Sequence, residues 1–294
     1  MQRMRCVMWL TACVLFWLVL LALLRTKTIS SLSYIKMVHG QFQKTLDALR
    51  SQADQREVVK RPIWLMAAEE DNIRTCVDTK SLEYEKAGKQ IWKGDTTSIR
   101  HDVHKYLTNR SIVLDIGGNV GTDADVFLNR YHARLVIFEP LQRYYQKLKE
   151  KFAGNSNVKI LDIGLGKEDA ERRLEVMGVN GDASSLYRGQ EPTGADVEKV
   201  KVKNTTRVLE EIGLGRYSID LIHVDCEGCE MDVLESLVGT NVIFNLKHIQ
   251  FATHTQYTGV VDLVPRYCKL QEVLKRTHKP MYQYKFIWES WEMK

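Results

Sequence analysis

Three carboxylates and one histidine, each at the end of an apolar run, are the side chains of this sequence best placed to do chemistry. Val113-Leu-Asp115-Ile-Gly117-Gly118-Asn119-Val120-Gly121 sets one acid and three glycines directly behind branched apolar residues. Eighteen residues past Gly121, Leu135-Val-Ile-Phe138 runs into Glu139-Pro140. Further on, Ile219 to Val224 leads into Asp225-Cys-Glu227-Gly-Cys-Glu230, and Ile249 to Ala252 leads into Thr253-His254.

A glycine-rich turn behind a strand commonly cradles phosphate, but the phasing here is wrong for that task. In a dinucleotide fingerprint the spacing is G-x-G-x-x-G, and Asn119 and Thr122 stand where the second and third glycines belong. A P-loop would need a following Lys-Ser or Lys-Thr, which is missing. What remains is D-x-G-x-x-x-G, in which Asp115 offers a carboxylate to a charged amine while Gly117, Asn119 and Gly121 allow close approach of a ligand. Glu139, at the tip of the neighbouring strand, is set to accept both hydroxyls of a ribose. Asp162, closing a third strand, is read toward a base. A ligand with an amino acid at one end and a nucleoside at the other, without phosphate, is S-adenosylmethionine.

The elements needed to hold these residues can be read from the hydrophobic pattern. Strands are expected over Ile112–Ile116, Leu135–Phe138, Val158–Ile163, Ile219–Val224 and Ile249–Ala252. Helices are expected over Val120–Tyr131, Leu141–Phe152, Thr206–Ile212, Met231–Leu237 and Val261–Thr277. Such alternation predicts a parallel sheet with helices on both faces. A polar stretch from Glu168 to Gly194 interrupts the rhythm, with Arg173–Met177 as an edge strand and Val200–Val202 resuming it; Met281–Ile287 is expected to close the sheet.

VLDIGGNVG, VIFEP, DASSLY and IDLIHVDCEGCEMDVLESL together resemble the successive motifs of the FkbM-type S-adenosylmethionine-dependent methyltransferases, including animal members anchored in secretory membranes. The resemblance runs from about residue 90 to the C-terminus, and Asp225-x-Glu227-Gly228-x-Glu230 is its most specific part. It implies a class I methyltransferase Rossmann-like fold, with a seven-stranded, mostly parallel sheet whose last strand is antiparallel, and methyl transfer to hydroxyl oxygen. His223 in place of a common Lys, the cysteines flanking Glu227, and the missing Glu before His254 depart from the family pattern and bear on the acceptor more than the cofactor.

An alcohol that attacks a sulfonium methyl must lose its proton, and a positioned base contributes roughly 10²- to 10⁴-fold. His254 is the expected base, with Asp225 and Glu227 as direct participants. Glu230 is explained by the helix dipole alone. His223, alternating with Ile222 and Val224, is expected beneath the site. Ser184 and Ser185 either line a pocket or make a polar turn. A metal-assisted route would need clustered oxygen ligands; Thr253-His254 adds no carboxylate to Asp225 and Glu227, so no metal is expected. Trp288 and Trp291 are expected to pack in the core rather than form an acceptor wall.

The whole chain sets the context. From Cys6 to Leu24 no charge occurs, and at about 1.5 Å per residue this run nearly matches a hydrocarbon core of about 30 Å. The expected organisation is a cytosolic tail over 1–6, a transmembrane signal anchor over 7–24, a stem over 25–61 and the methyltransferase-like domain over 62–294. That is a single-pass type II membrane protein of the Golgi or endoplasmic reticulum with a luminal body. A cleaved signal peptide is the competing reading, for which Leu23-Leu-Arg-Thr makes a poor site. Arg3, Arg5, Arg25 and Lys27 flank the run; setting them aside from the 42 basic residues leaves 38 against 37 acidic ones, so no nucleic-acid face is expected. The sequons at Asn109 and Asn204 are compatible with a glycoprotein.

Beyond the anchor lie Cys76, Cys226, Cys229 and Cys268. A disulfide between two of them is open and its pairing unfixed. Cys226-x-x-Cys229 has redox or zinc spacing but no companion ligands, and is expected as two small packing residues. The expected partner is a hydroxyl-bearing acceptor: glycan, lipid or small molecule. Two other classes are kept, a silent luminal binding protein with the same fold and, against the glycine phasing, an NAD-dependent oxidoreductase.

Overall fold

A computed structural model of the chain describes residues 59–91, 96–213 and 218–294. The expected anchor over 7–24, and the stem as far as residue 58, lie outside the described residues. Among the described residues no helix is long and apolar enough to cross a membrane.

Short, largely apolar strands build the centre. β1 (Ile112–Ile116) is buried along its whole length, as is β7 (Leu221–Val224), which is the pattern of parallel strands covered on both faces. With β2 (Arg134–Phe138), β3 (Val158–Leu161), β8 (His248–Ala252), β9 (His278–Tyr284) and β10 (Trp288–Met293) they form a seven-stranded sheet of order β3-β2-β1-β7-β8-β10-β9. All pairings from β3 to β8 are parallel, and β10 runs antiparallel to both its neighbours. The order reverses between β1 and β7, so the carboxyl ends of these two strands diverge into the crevice where open α/β sheets take ligands.

α3 (Thr122–Tyr131) and α4 (Gln142–Lys151) share one packing cluster against the sheet, and α6 (Glu230–Val238) and α7 (Leu263–Leu274) pack against each other. Phe127, Ala124 and Leu148 pack there on Leu135, Ile137 and Val113. Before β1 lie α1 (Ala67–Ile91) and α2 (Thr96–Asp102), which the hydrophobic pattern did not reveal. A disulfide from Cys76 to Cys268 ties α1 to α7. The chain joins this body before Pro62: the Arg61 amide donates to the Gly239 carbonyl at 2.7 Å, and the Val59 amide to Asn241 Oδ1 at 2.7 Å.

Two regions differ from expectation. β4 (Gly164–Gly166), β5 (Ala170–Glu175) and β6 (Val197–Asn204) form a separate three-stranded sheet of order β4-β6-β5, followed by α5 (Thr205–Glu211). β6 is much longer than Val200–Val202, because its lysines and glutamate alternate with the buried valines and mask a strand exposed on one side. At the C-terminus the expected strand Met281–Ile287 contains a turn. Phe286 adopts φ +63°, its ring packs at 4.1 Å from that of Tyr267, and the chain reverses into β10 without a glycine or proline to signal it.

Candidate active site

Two glycines let the strand ends close. Gly117 has φ +99°, and a Cβ there would overlap the carbonyl of Asp225. Gly118 lies against Ile137, and the amides of both glycines donate to the Phe138 carbonyl at 3.0 Å. Gly121, φ +78°, faces Leu148 and Phe152, so it serves the packing of α3 on α4 and does not line the crevice.

Between the ends of β1, β2 and β7 opens a narrow cleft of about 80 Å³. Phe138, Leu141, Leu174 and Leu186 supply apolar wall, and Gly117, Asn119, Glu139, Asp225 and Glu227 supply the polar face. Glu139 accepts from the amides of Asn119 at 2.7 Å and Leu141 at 2.8 Å, and burial pushes its carboxyl up to about 7. Asn119 takes φ +44°, with its side-chain amide donating to the Asn180 carbonyl at 3.1 Å.

Asp115 does not share that cleft with Glu139. In the register of β1 on β7 it stands beside His223, and its Oδ1 meets His223 Nδ1 at 3.0 Å beneath the floor, 1% exposed. Its Oδ2 is buried without a partner. The expectation that Asp115 and Glu139 face a common cleft is therefore met by Glu139 alone; the other lining acids are Asp225 and Glu227. Asp162 also lies outside, half exposed and 3.8 Å from Lys201. An apolar wall with one carboxylate held by two backbone amides fits the nucleoside part of S-adenosylmethionine.

The second constellation joins the ends of β7 and β8. His254 Nδ1 meets Glu230 Oε1 at 2.8 Å; its Nε2 lies 3.2 Å from Glu227 Oε1 and 3.5 Å from Asp225 Oδ1. Glu230 also accepts from the amides of Cys226 and Gly228 at 3.0 Å, so it orients the histidine and ties the turn, a larger part than a dipole partner plays. Glu227 is held at φ +55°, with Tyr257 Oη donating to its Oε2 at 2.5 Å and Ser185 Oγ to its carbonyl at 2.5 Å. Burial disfavours a charged His254, yet the Glu230 charge and the bonds to Glu227 and Glu230 raise it well above the ordinary 6.5. Burial pushes Asp225 up to about 6, against the pull of His254 and His223.

Asp225, Glu227 and His254 offer ligand atoms that all lie within 4.8 Å of one another. Counting carboxylates in the sequence missed this set, because the imidazole completes it; two carboxylates and a histidine suit a divalent cation as well as a proton.

Sequence reading also missed the support behind Asp225. Arg100 of α2 lies 3.7 Å from Asp225 and 3.2 Å from Asp123, with its guanidinium 4.7 Å over the Trp288 ring. His101 Nε2 meets Asp123 at 2.5 Å. Although burial opposes it, the His101 bond and the charges of His223 and Arg100 hold the Asp123 carboxyl well below the ordinary range. Trp291 is wholly buried, as expected, whereas Trp288 serves as the platform for Arg100. Ser184 lines the cleft, and Ser185 pins Glu227. Asn204 caps α5 by accepting from the Arg207 amide at 3.0 Å, and its side-chain amide donates to the Lys167 carbonyl.

Comparison with known proteins follows the same lines. The FkbM methyltransferase domain matches residues 115–268, just over half of the chain. The 2-O-methyltransferase NoeI of Sinorhizobium fredii (strain NBRC 101917 / NGR234) is 27% identical over 180 residues, taking in 53% of this chain and 72% of the relative. A crystal structure of methyltransferase FkbM from Methylobacillus flagellatus KT aligns at 13% identity and a TM-score of 0.40, covering 64% of this chain and 44% of that one. This chain thus spans under half the length of that protein. A putative methyltransferase from Streptococcus mutans in complex with S-adenosylhomocysteine aligns at 10% identity and a TM-score of 0.42, covering 67% and 97%.

Proposed function

The chain belongs to the FkbM methyltransferase family, and from that premise we propose that it is an S-adenosylmethionine-dependent O-methyltransferase acting on a hydroxyl-bearing acceptor. One observation carries the reading: Asp225 and Glu227 line the same cleft as Glu139 while His254, fixed by Glu230, touches both. The named activity of NoeI, a 2-O-methyltransferase, supports oxygen as the accepting atom.

When bound, the cofactor supplies a methyl group activated on a sulfonium. Glu139 would accept the ribose hydroxyls, its own oxygens being steadied by the amides of Asn119 and Leu141. Phe138, Leu141 and Leu174 exclude water from that end of the cleft. Both ring nitrogens of His254 face carboxylates, so it holds two protons near neutral pH and cannot serve as the free base. That role passes to Asp225, a quarter exposed toward the cleft and ionised above about 6. It takes the proton of the acceptor hydroxyl, while imidazolium and guanidinium keep its charge in place.

The long uncharged run over 6–24 supports a membrane anchor and a secretory-pathway acceptor. The test is to incubate the full chain with methyl-labelled donor and separated pools of glycans, lipids and small hydroxylated molecules. Label in one pool, stable to base and retained on oxygen, is expected. Donor binding without transfer to any pool would favour a silent binding protein.

A further inference from the structure

Cys226 and Cys229 are joined by a disulfide that closes a ring around Glu227 and Gly228, and both cysteines line the cleft. The two enclosed residues both have positive φ, +55° at Glu227 and +116° at Gly228. Glycine takes that conformation freely, but a glutamate holds it only where its surroundings over-determine it. Here the disulfide, the Ser185 bond to the Glu227 carbonyl and the Tyr187 ring against Gly228 share that task. Their product is the aim of the Glu227 carboxylate at His254 and Tyr257.

The two sulfurs differ. Cys229 is buried at the N-terminus of α6, whereas Cys226 is partly exposed in the cleft wall. An incoming thiolate therefore meets Cys226 first, and the helix end favours Cys229 as the departing thiolate. The other disulfide also joins a partly exposed cysteine, Cys76, to a wholly buried one, Cys268, but both lie within helices, neither lines the cleft, and no helix N-terminus favours either as a departing thiolate.

We propose that Cys226–Cys229 is a thiol-reducible site within the donor cleft, through which a dithiol reductant releases Glu227 and switches methyl transfer off. A thiolate of the reductant bonds to the Cys226 sulfur as the Cys226–Cys229 bond breaks, and Cys229 leaves and takes up a proton. The second thiol of the reductant then displaces Cys226, which is protonated in turn. Two electrons pass to the protein, and the reductant becomes a disulfide. Freed of the ring, Glu227 leaves the left-handed region and its bonds to His254 and Tyr257 break. A ligand in the cleft covers the same sulfurs and protects them. The turnover and S-adenosylhomocysteine-protection readouts rest on the methyltransferase reading; the order of labelling does not.

The test titrates the full chain with dithiothreitol under native conditions, alkylates free thiols, and maps them by peptide mass spectrometry while circular dichroism follows the fold. Cys226 and Cys229 should label at least about tenfold faster than Cys76 and Cys268, and saturating S-adenosylhomocysteine should slow their labelling by about fivefold or more. Turnover should fall about tenfold or more with an unchanged fold and return on reoxidation. Cys226→Ser should show the reduced turnover with or without reductant. The proposal is overturned if these thiols label without reductant, if Cys76 and Cys268 label first, or if reduction leaves turnover intact. Should no acceptor be methylated, or S-adenosylhomocysteine not bind, the enzyme reading fails, while the order of labelling still decides whether the site is reducible.

Discussion

In the proposed mechanism Asp225 takes the acceptor proton and His254 holds the charge of that carboxylate in place. Because burial raises Asp225 to about 6, the account predicts that kcat/KM rises with pH through about 6 as the carboxylate ionises. Asp225→Asn should lose that limb together with roughly 10²- to 10⁴-fold of the rate, read in a pH profile of initial velocities; an unchanged limb in the variant would assign it elsewhere. His254 leaves a mark on stability. Its pKa lies well above 6.5 in the fold, so its contribution is full below pH 6.5 and is lost as pH rises through the raised value. Urea denaturation should accordingly show His254→Gln further below the parent at pH 6 than at pH 9. Legibility at this scale followed chain distance. Asp225, Glu139 and His254 stand at or just past the ends of apolar runs, with Glu227 in the turn after Asp225, and each could be picked out. Arg100 could not: it sits on a short helix, and its partners Asp123, Asp225 and Trp288 come from three distant segments. Asp115 was found but misdirected, since only the register that sets it beside His223 reveals which way it turns.

The closing hairpin shows what an element owes to one buried group. Glu289 of β10 is wholly buried, and it accepts from Tyr267 Oη, Gln271 Nε2 at 2.9 Å, Gln283 Nε2 at 3.0 Å and Trp291 Nε1 at 2.9 Å. Removing the carboxyl group strands the Tyr267, Gln271 and Trp291 donors away from water, while half-buried Gln283 keeps its bond to Gln271. Glu289→Ala should therefore cost roughly 3–5 kcal/mol in a denaturant titration, with Gln restoring part of it; a loss below about 1 kcal/mol would mean that water replaces the missing acceptor. The sequence disclosed the parallel strands because they are short, apolar and bounded by turn residues. It hid the hairpin turn at Phe286 and the alternation of β6, where aromatic or charged continuity covers a change of direction or face.

At the scale of the whole molecule, we propose a small or neutral acceptor over a polyanion, a reading supported by the near balance of charge outside the first apolar run. We propose that the run over 7–24 anchors the chain; carbonate washing of membranes from cells expressing it should leave the full chain in the pellet, and its release to the supernatant would contradict the anchor. The fold class was legible because strand and helix alternate at family-like spacing, whereas the small sheet and α1 appear only once long-range pairing and the Cys76–Cys268 bond are in view.

The central claim is that the cleft beside Glu139 holds the methyl donor, and calorimetric titration with S-adenosylmethionine tests it most directly. The parent chain should bind one equivalent, and Glu139→Ala should weaken that binding by about ten- to a hundredfold, as expected when a buried acceptor of two hydroxyls is lost. Equal affinity in the two proteins, or no binding to the parent, would contradict the account.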